Sequence, residues 1–533
     1  MWPIYEYDIL VLGAGIAGLE AAYTAAKAGK SVLIVSKGAQ ASTAVLGFCA
    51  PVGENDSVES YAQDTYRGGW EIGNPGLVKA LSENSTDTVL HMEALGLRFD
   101  RQSGNSQAYQ LLKPLGCSVA RLVKHENTTG KASMALLREA SLKLGVKLID
   151  RAMALELIMS DKTVRGALCI HLDTDAPFVV KAGAVVLATG GAHLMKNSTY
   201  PLDQTADGMA MAYHVGASLI DLEFVQHEPC RAVWPKPLGL STTLLAKGGI
   251  LTNRLRERFV LKHYPNEGAA PKDMLARLIA VEIKEGRGSE HGGVYLDLTG
   301  VAQEEIKEKH MLYYQRFLAA NIDLTKDMVE VGPSAHSMMG GVEINENCST
   351  RVPGLFAAGE VTGGLHGANR LGGNAGAEVF VFGRIAGKAA AEYQSGLSLH
   401  EFDLDRAAKL LNIDPFAKRT DFEAERTSAR KIMAKAMGPV RDGEALENAI
   451  RQLDQQLNEL KAVVPNSFES LRLKTETCNM VEIAGLVCQS ALQRTESRGV
   501  HYRSDYPECR DPEWKKHICV CHSSKSNKET NAW

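Results

Sequence analysis

The chain has 533 residues, too many for one hydrophobic core, so two or three domains are expected. A formal net charge of −4 and an aromatic content of 6% exclude a protein that holds nucleic acid through bulk positive charge or broad stacking surfaces. No run approaches the roughly 18–20 apolar residues of a membrane span.

The opening MWPIYEYDILVLGAGIAG carries Glu6 and Asp8 and lacks a basic leader, so no signal peptide is expected. Of ten cysteines, Cys49, Cys117, Cys169, Cys230, Cys348, Cys478, Cys488 and Cys509 are scattered singly, and Cys519-Val-Cys521-His522 stands near the end. This is not a disulfide framework. Reduced thiols are expected, in a cytoplasmic protein or the soluble arm of a larger complex.

Residues 7–36 read as one βαβ unit. YDILVLGAG is a buried strand, and Gly13, Gly15 and Gly18 make G-x-G-x-x-G, with Ala17 inside the motif as the helix opens. SVLIVSK is the second strand. The first glycine turns the chain, the second lets backbone approach a pyrophosphate, and the third lets helix and strand pack closely. The helix N-terminus then faces negative charge. Where an acid often binds the ribose, the chain reads Ser36-Lys37. Ser36 can still hydrogen-bond a hydroxyl.

Further on, GAVVLATGGA (183–192) is another buried strand ending in a glycine pair, with Ala188, Thr189 and Gly190 at its end. TADGMAMA (205–212) holds Asp207. The run 351–390 gives a strand, an acid at Glu360, a glycine-rich loop, and a helix opening at Asn374 and Ala375. Strand-and-glycine pieces separated by hundreds of residues match a flavoprotein, in which distant segments converge on one extended FAD. Near the C-terminus, NAIRQLDQQLNELKAVV (448–464) spaces apolar residues at helical intervals with charge between them.

The pieces GAGIAG (13–18), ATGG (188–191), TADGMAMA (205–212), LEFVQ (222–226), APKD (270–273), AHSMMGG (335–341), AGEVTGGLHGANRLGGN (358–374) and ESRGVHYRSDYPE (496–508) run through nearly the whole chain. With them the chain resembles the flavoprotein subunit family of fumarate reductase and succinate dehydrogenase, which also contains L-aspartate oxidase and adenylylsulfate reductase. The resemblance implies an α/β fold. Its FAD-binding, Rossmann-like doubly wound domain comes from residues 1–219 and 336–400. An α+β capping domain is inserted at 220–335, a helical C-terminal domain occupies 401–503, and a tail occupies 504–533.

Many family members attach FAD through a histidine after the second strand. Ser42 stands there, so non-covalent FAD is expected, with Ser42 and Thr43 donating hydrogen bonds to its phosphates. The family moves a hydride between flavin N5 and a CH–CH or C=C carbon. On that pattern His336 contacts a substrate carboxylate, and Arg370, with its planar fork, clamps it.

Other positions depart from the pattern. Gln226-His227-Glu228-Pro229 has Glu228 where the family's second histidine falls, Ser241-Thr242 replace a threonine–glutamate pair, and Leu245 replaces a basic residue. Like charges ~4 Å apart repel by about 4 kcal/mol at an effective dielectric near 20. An added glutamate therefore disfavours plain fumarate or succinate. A monocarboxylate whose remainder is apolar, or cationic and paired with Glu228, fits better, with Trp234, Leu240, Leu244 and Leu245 as candidate walls.

In APKD, Lys272 stands at the family's proton-transferring arginine, with Asp273 kept. Lysine is the easier acid, at a reference of about 10.4 against above 12 for arginine. Arg277, further along the same helix, is expected to point elsewhere. An iron–sulfur partner subunit is implied by the 496–508 segment. The alternatives are an oxidase resembling L-aspartate oxidase, a sulfur-oxyanion reductase, which a carboxylate-binding pair disfavours, and an FAD-holding electron-transfer subunit with a decayed site. Cys519 and Cys521 are too few for a closed zinc site and are expected as free thiols on a fraying terminus, with disorder beyond.

Overall fold

The computed structural model describes residues 2–38, 40–114, 116–394 and 411–522. The tail expected to be disordered, 525–533, and the start of the expected helical segment, 401–410, lie outside the described residues.

Apolar runs form a mixed seven-stranded sheet. Lys147–Asp150, Val32–Ser36, Ile4–Leu12 and Pro177–Leu187 lie side by side in parallel, and Leu355–Ala357 also pairs in parallel with Pro177–Leu187. Thr163–His171 and Ala152–Ser160 continue the sheet antiparallel. Ile9, Leu10, Val11 and Val32 to Val35 are buried, as strands covered on both faces must be.

The helix Ile16–Lys27 leaves the first strand at the glycine turn. Gly13 has φ +115°, and a Cβ there would sit 2.2 Å from the Ala188 carbonyl oxygen. A Cβ at Gly18 would sit 2.0 Å from the Gly13 oxygen. The roles expected for the first and third glycines are thus visible as steric facts. Against this helix lies Asn374–Gln394, whose Gly383 and Gly387 approach the Ala17 and Ala21 backbone so closely that a Cβ would reach within 2.6 and 2.3 Å of their oxygens. The two glycine-rich segments, about 360 residues apart in the chain, are locked together by those glycines.

A second sheet has the antiparallel order Val225–Ala232, Val329–Met338, Val294–Asp297, Ile250–Thr252. With the helix Lys272–Lys284 it encloses its own apolar core, including Leu244, Leu251, Phe259, Ile279, Leu296 and Phe317. C-terminal helices follow at Phe422–Ala436, Gly443–Ala462 and Phe468–Gln493. In Gly443–Ala462 the buried face is Leu446, Ala449, Leu453, Gln456 and Leu460, the 3.6-residue stripe the sequence spells out, and Asp442 caps the helix by accepting from Ala445 N at 2.9 Å.

The segment after the last helix does not fray at Cys519. Cys519–Val520 pairs with Leu219–Ile220 as a strand. Upstream of it, Arg494 meets Glu223 at 2.7 Å and His517 meets Asp221 at 2.8 Å, with Glu223 and Arg494 fully buried. Charged pairs buried this deeply fix register, and here they stitch the chain's end to the strand that enters the second sheet. Among the described residues no helix is long and apolar enough to cross a membrane.

Candidate active site

A cavity of about 1520 Å³ runs between the two sheets. One part is lined by Gly13, Gly15, Ala17, Ser36, Ser42, Ala188, Thr189, Gly190, Glu360 and Ala375, most of the residues expected at the cofactor. Gly18 packs behind them.

Gly15 caps the helix Ile16–Lys27 and has no side chain to satisfy the helix N–H groups. Ser42 Oγ accepts the Ile16 N–H at 3.1 Å, which leaves its own proton free for a phosphate. Thr43 also lines the cavity, with its hydroxyl donating to the Gln40 carbonyl at 2.9 Å. Asn374 differs from expectation. Its amide is buried against Tyr61 and Thr65 at 3.1 and 3.0 Å, outside the cavity, and ties its helix start to the helix Val58–Gly68.

Lys37 bonds Asp207 at 2.8 Å and Glu476 at 2.6 Å. Burial pulls its pKa down, but the two carboxylates outweigh burial and hold it above the usual lysine value. Asp207 also accepts from Asn479. This pair braces the cavity wall against the last helix. Glu360 accepts from Tyr200 Oη at 2.6 Å and Ser337 Oγ at 3.0 Å, and burial raises its carboxyl above the usual range.

The features of this part fit FAD. The N-terminus of Ile16–Lys27, where Ser42 takes the Ile16 N–H, and the side-chain-free glycine turns offer a pyrophosphate cradle, and Thr189 and Gln204, which line the cavity, carry a buried Oγ1 and Oε1 without a hydrogen-bond partner among the described residues.

The other part of the cavity collects Gln226, Glu228, Lys272, Asp273, His336 and Arg370. Gln226 and Glu228 alternate along Val225–Ala232, which turns both toward the cavity and His227 away. Arg370 Nη2 donates to Gln226 Oε1 at 2.9 Å, and Gln226 Nε2 donates back to the Arg370 carbonyl at 3.0 Å and to Asn369 Oδ1 at 2.9 Å. Arg370 Nε is buried without a partner among the described residues. His336 Nδ1 lies 3.0 Å from Thr199 Oγ1, and burial, then the Arg370 charge, pushes the ring's pKa down to about 4. It is a neutral imidazole at pH 7.

Lys272 is the first residue of its helix, where the helix dipole repels a cation. Its Nζ donates to Glu228 Oε2 at 2.8 Å. Glu228 Oε1 is buried and has no partner among the described residues. The pairing corrects the expectation drawn from Glu228 alone: its charge is offset by Lys272, so it is not a free repulsive carboxylate. Burial raises the Asp273 carboxyl above the usual range. Arg277 stacks on Tyr502 at 4.0 Å, away from the cavity as expected.

Leu240 and Leu245 line the cavity. Leu244 is in the core, and Trp234 lies outside, about half exposed (51%) and stacked on His291 at 4.0 Å. Sequence reasoning missed Thr199 and Tyr200, which orient His336 and Glu360, and left out Gln226, although the LEFVQ piece ends on it.

His227 is buried, and burial, then Arg441, pushes its pKa down to about 3. The unfolded chain, near 6.5, binds more protons than the folded one between these values, so this stability is present above pH 6.5 and lost as pH falls toward 3. Thermal melts should show the wild type losing more stability between pH 7 and 4 than His227→Phe does. Parallel curves would contradict this.

The family profile described as FAD binding domain matches residues 8–375, and the one described as fumarate reductase flavoprotein C-term matches residues 426–532. The chain is 36% identical to a Methanothermobacter marburgensis protein named as a subunit of fumarate reductase (CoM/CoB), covering 97% of each chain. It is 31% identical to L-aspartate oxidase of Yersinia pestis, covering 94% of this chain and 96% of that one. The E. coli quinol fumarate reductase FrdA structure superposes with a TM-score of 0.91 at 27% identity, covering 98% of this chain and 95% of that one.

Proposed function

This chain belongs to the fumarate reductase and succinate dehydrogenase flavoprotein family and is an FAD-dependent oxidoreductase; from that premise we propose that it oxidises or reduces a CH–CH/C=C unit of a carboxylate-bearing substrate other than plain fumarate or succinate. The observation that carries the reading is the convergence of His336, Arg370 and the Lys272–Glu228 pair on the cavity that the glycine turns also line. When bound, FAD supplies a hydride donor or acceptor at N5.

The chain's own residues do the rest. Gly13, Gly15 and the helix N-terminus with Ser42 receive the pyrophosphate, and Ser36 a ribose hydroxyl. Arg370, its fork aimed by Gln226, clamps the substrate carboxylate. His336, neutral, adds an N–H from Nε2 when Thr199 donates to Nδ1. Positioning of this kind supplies much of an enzyme's acceleration. Lys272 gives or takes the proton at the carbon next to the reacting one. Glu228 holds the ammonium in place against the helix dipole, and Asp273 follows it in the first turn.

Leu245, which stands where the family pattern has a basic residue, and Leu240, which also lines the cavity, support a substrate with an apolar middle. Electrons pass to or from an iron–sulfur partner subunit, which the resemblance of the 496–508 segment to complex-forming members of the family supports. The protein is cytoplasmic or the soluble arm of a complex. FAD is held without a covalent bond: acid precipitation should leave flavin in the supernatant, and flavin in the pellet would refute this.

Glu228 Oε1, buried and unpartnered, favours a second reading, an oxidase of an amino acid whose ammonium it accepts. An anaerobic panel of saturated acids, unsaturated acids and amino acids tests the proposal. Flavin bleaching by saturated acids, or reoxidation by unsaturated ones, supports it. Response to amino acids alone moves the assignment to the oxidase, and no response to any leaves an inert subunit.

A further inference from the structure

Arg231 is a cavity cation that the proposed chemistry leaves unused. It stands three residues beyond Glu228 on Val225–Ala232, after a slip in strand register between those two residues, and it lines the same cavity as His336 and Arg370. Its backbone is fixed by an isolated bridge to Gly239 and by Ala232 N donating to the Leu238 oxygen at 2.9 Å.

Its guanidinium, half-buried, has no hydrogen bond or ion pair with any described residue. Of the other cations that line the cavity, Lys37 is paired with Asp207 and Glu476 and Lys272 with Glu228, while Arg370 donates to the Gln226 side-chain Oε1 and is taken by the first carboxylate. A cation drawn out of water without a partner is costly, and burial lowers the pKa of Arg231 accordingly. A half-buried, unpaired guanidinium that lines a ligand cavity is suited to an anion.

The surroundings agree. The exposed Arg316 and Lys247 also line the cavity, Tyr313 is near enough to feel both Glu228 and Arg316, and the buried His193 feels the charge of Arg231. On the strand Val225–Ala232 and the helix Lys272–Lys284, the acids that line the cavity are Glu228, already paired, and Asp273, at the helix start.

Three strand residues span about 10 Å when fully extended, and the register slip shortens this. We infer that Arg231 grips a second acidic group, so that the substrate is a carboxylate whose far end carries another acid, further from the reacting carbons than in a four-carbon diacid. This rests on the carboxylate reading of His336 and Arg370 and sharpens it. An acid close to Glu228 meets a spent cation and a buried carboxylate oxygen, whereas one further along the strand meets a free planar fork suited to bidentate binding.

The test is equilibrium titration of the oxidised holoenzyme, read as perturbation of the flavin spectrum. The ligands are monocarboxylates and α,ω-dicarboxylates of increasing chain length, with ω-phosphono acids as a separate arm to tell carboxylate from phosphate chemistry. At one chain length the two-headed acid should bind about tenfold more tightly or better than the matched monoacid. That ratio should fall to near one in Arg231→Gln and be partly kept in Arg231→Lys, with flavin stoichiometry verifying that each variant is folded.

A ratio unchanged by Arg231→Gln, or no two-headed preference in the wild type, overturns this inference alone, provided monoacid binding still depends on Arg370. If no acid perturbs the flavin, or if binding is indifferent to Arg370→Ala, the carboxylate reading falls and this one with it.

Discussion

Replacing Arg370 with alanine should lower kcat/KM for the carboxylate substrate by about 10²–10⁴-fold while the flavin stays bound. The size follows from two charge-assisted hydrogen bonds, each contributing about 1.5–3 kcal/mol. Arg370 is unusually well prepared to make them. Its Nη2 is tethered to Gln226 Oε1 at 2.9 Å, the Gln226 amide is itself fixed to Asn369 and to the Arg370 carbonyl, and Nε is left buried and unpartnered. An orphan N–H of this kind is costly until a ligand meets it. Arg370→Lys keeps the charge but not the fork, so it should recover only part of the loss. Steady-state kinetics with flavin content measured on the same samples checks the expectation. An alanine variant with unaltered kcat/KM would remove Arg370 from the site.

Lys272→Met should have a comparable effect by a different route. Loss of a positioned general acid or base costs about 10²–10⁴-fold. Methionine matches much of the lysine chain and introduces no new charge, so the helix start at Pro271 should survive. The substitution also leaves the Glu228 carboxylate without its cation at 2.8 Å. The double variant Glu228→Gln/Lys272→Met separates the two consequences. If slow turnover came only from an uncompensated Glu228, the double variant would regain activity, whereas loss of the proton carrier keeps it inactive. Lys272→Arg should retain measurable turnover, because guanidinium can meet Glu228 as well. Turnover by Lys272→Met within a few-fold of the wild type would return Lys272 to a structural ion pair.

Much of the fold was legible because it is local. The G-x-G-x-x-G turn, the buried apolar strands and the helical stripe of 448–464 are written in consecutive residues, and the structure realises each where its pattern stands. The cavity was legible only in part. Gly15, Ser42, Glu360, His336 and Arg370 sit inside recognisable runs. Thr199, Tyr200 and Arg231 do not, since what makes each of them matter is a partner, or the lack of one, far away in the chain. Glu228 shows the limit most clearly. Alone in the sequence it is an added negative charge, but 44 residues later comes the lysine that offsets it. Pairwise charge balance across a tertiary contact cannot be read from either residue. Asn374 and Thr43 differ for a related reason: the Asn374 amide bonds Tyr61 and Thr65 on the helix Val58–Gly68, and the Thr43 hydroxyl bonds Gln40 in its own turn.

At the centre of the account is a carboxylate held by Arg370 and His336 within hydride reach of FAD. Its most direct test is a single-turnover experiment under argon, mixing flavin-reduced enzyme with unsaturated carboxylic acids in wild type and in the Arg370→Ala/His336→Ala double variant, both loaded with flavin. The account expects at least one acid to reoxidise the wild-type flavin rapidly and to leave the double variant reduced over the same interval. Equal reoxidation of the two proteins by that acid would contradict it.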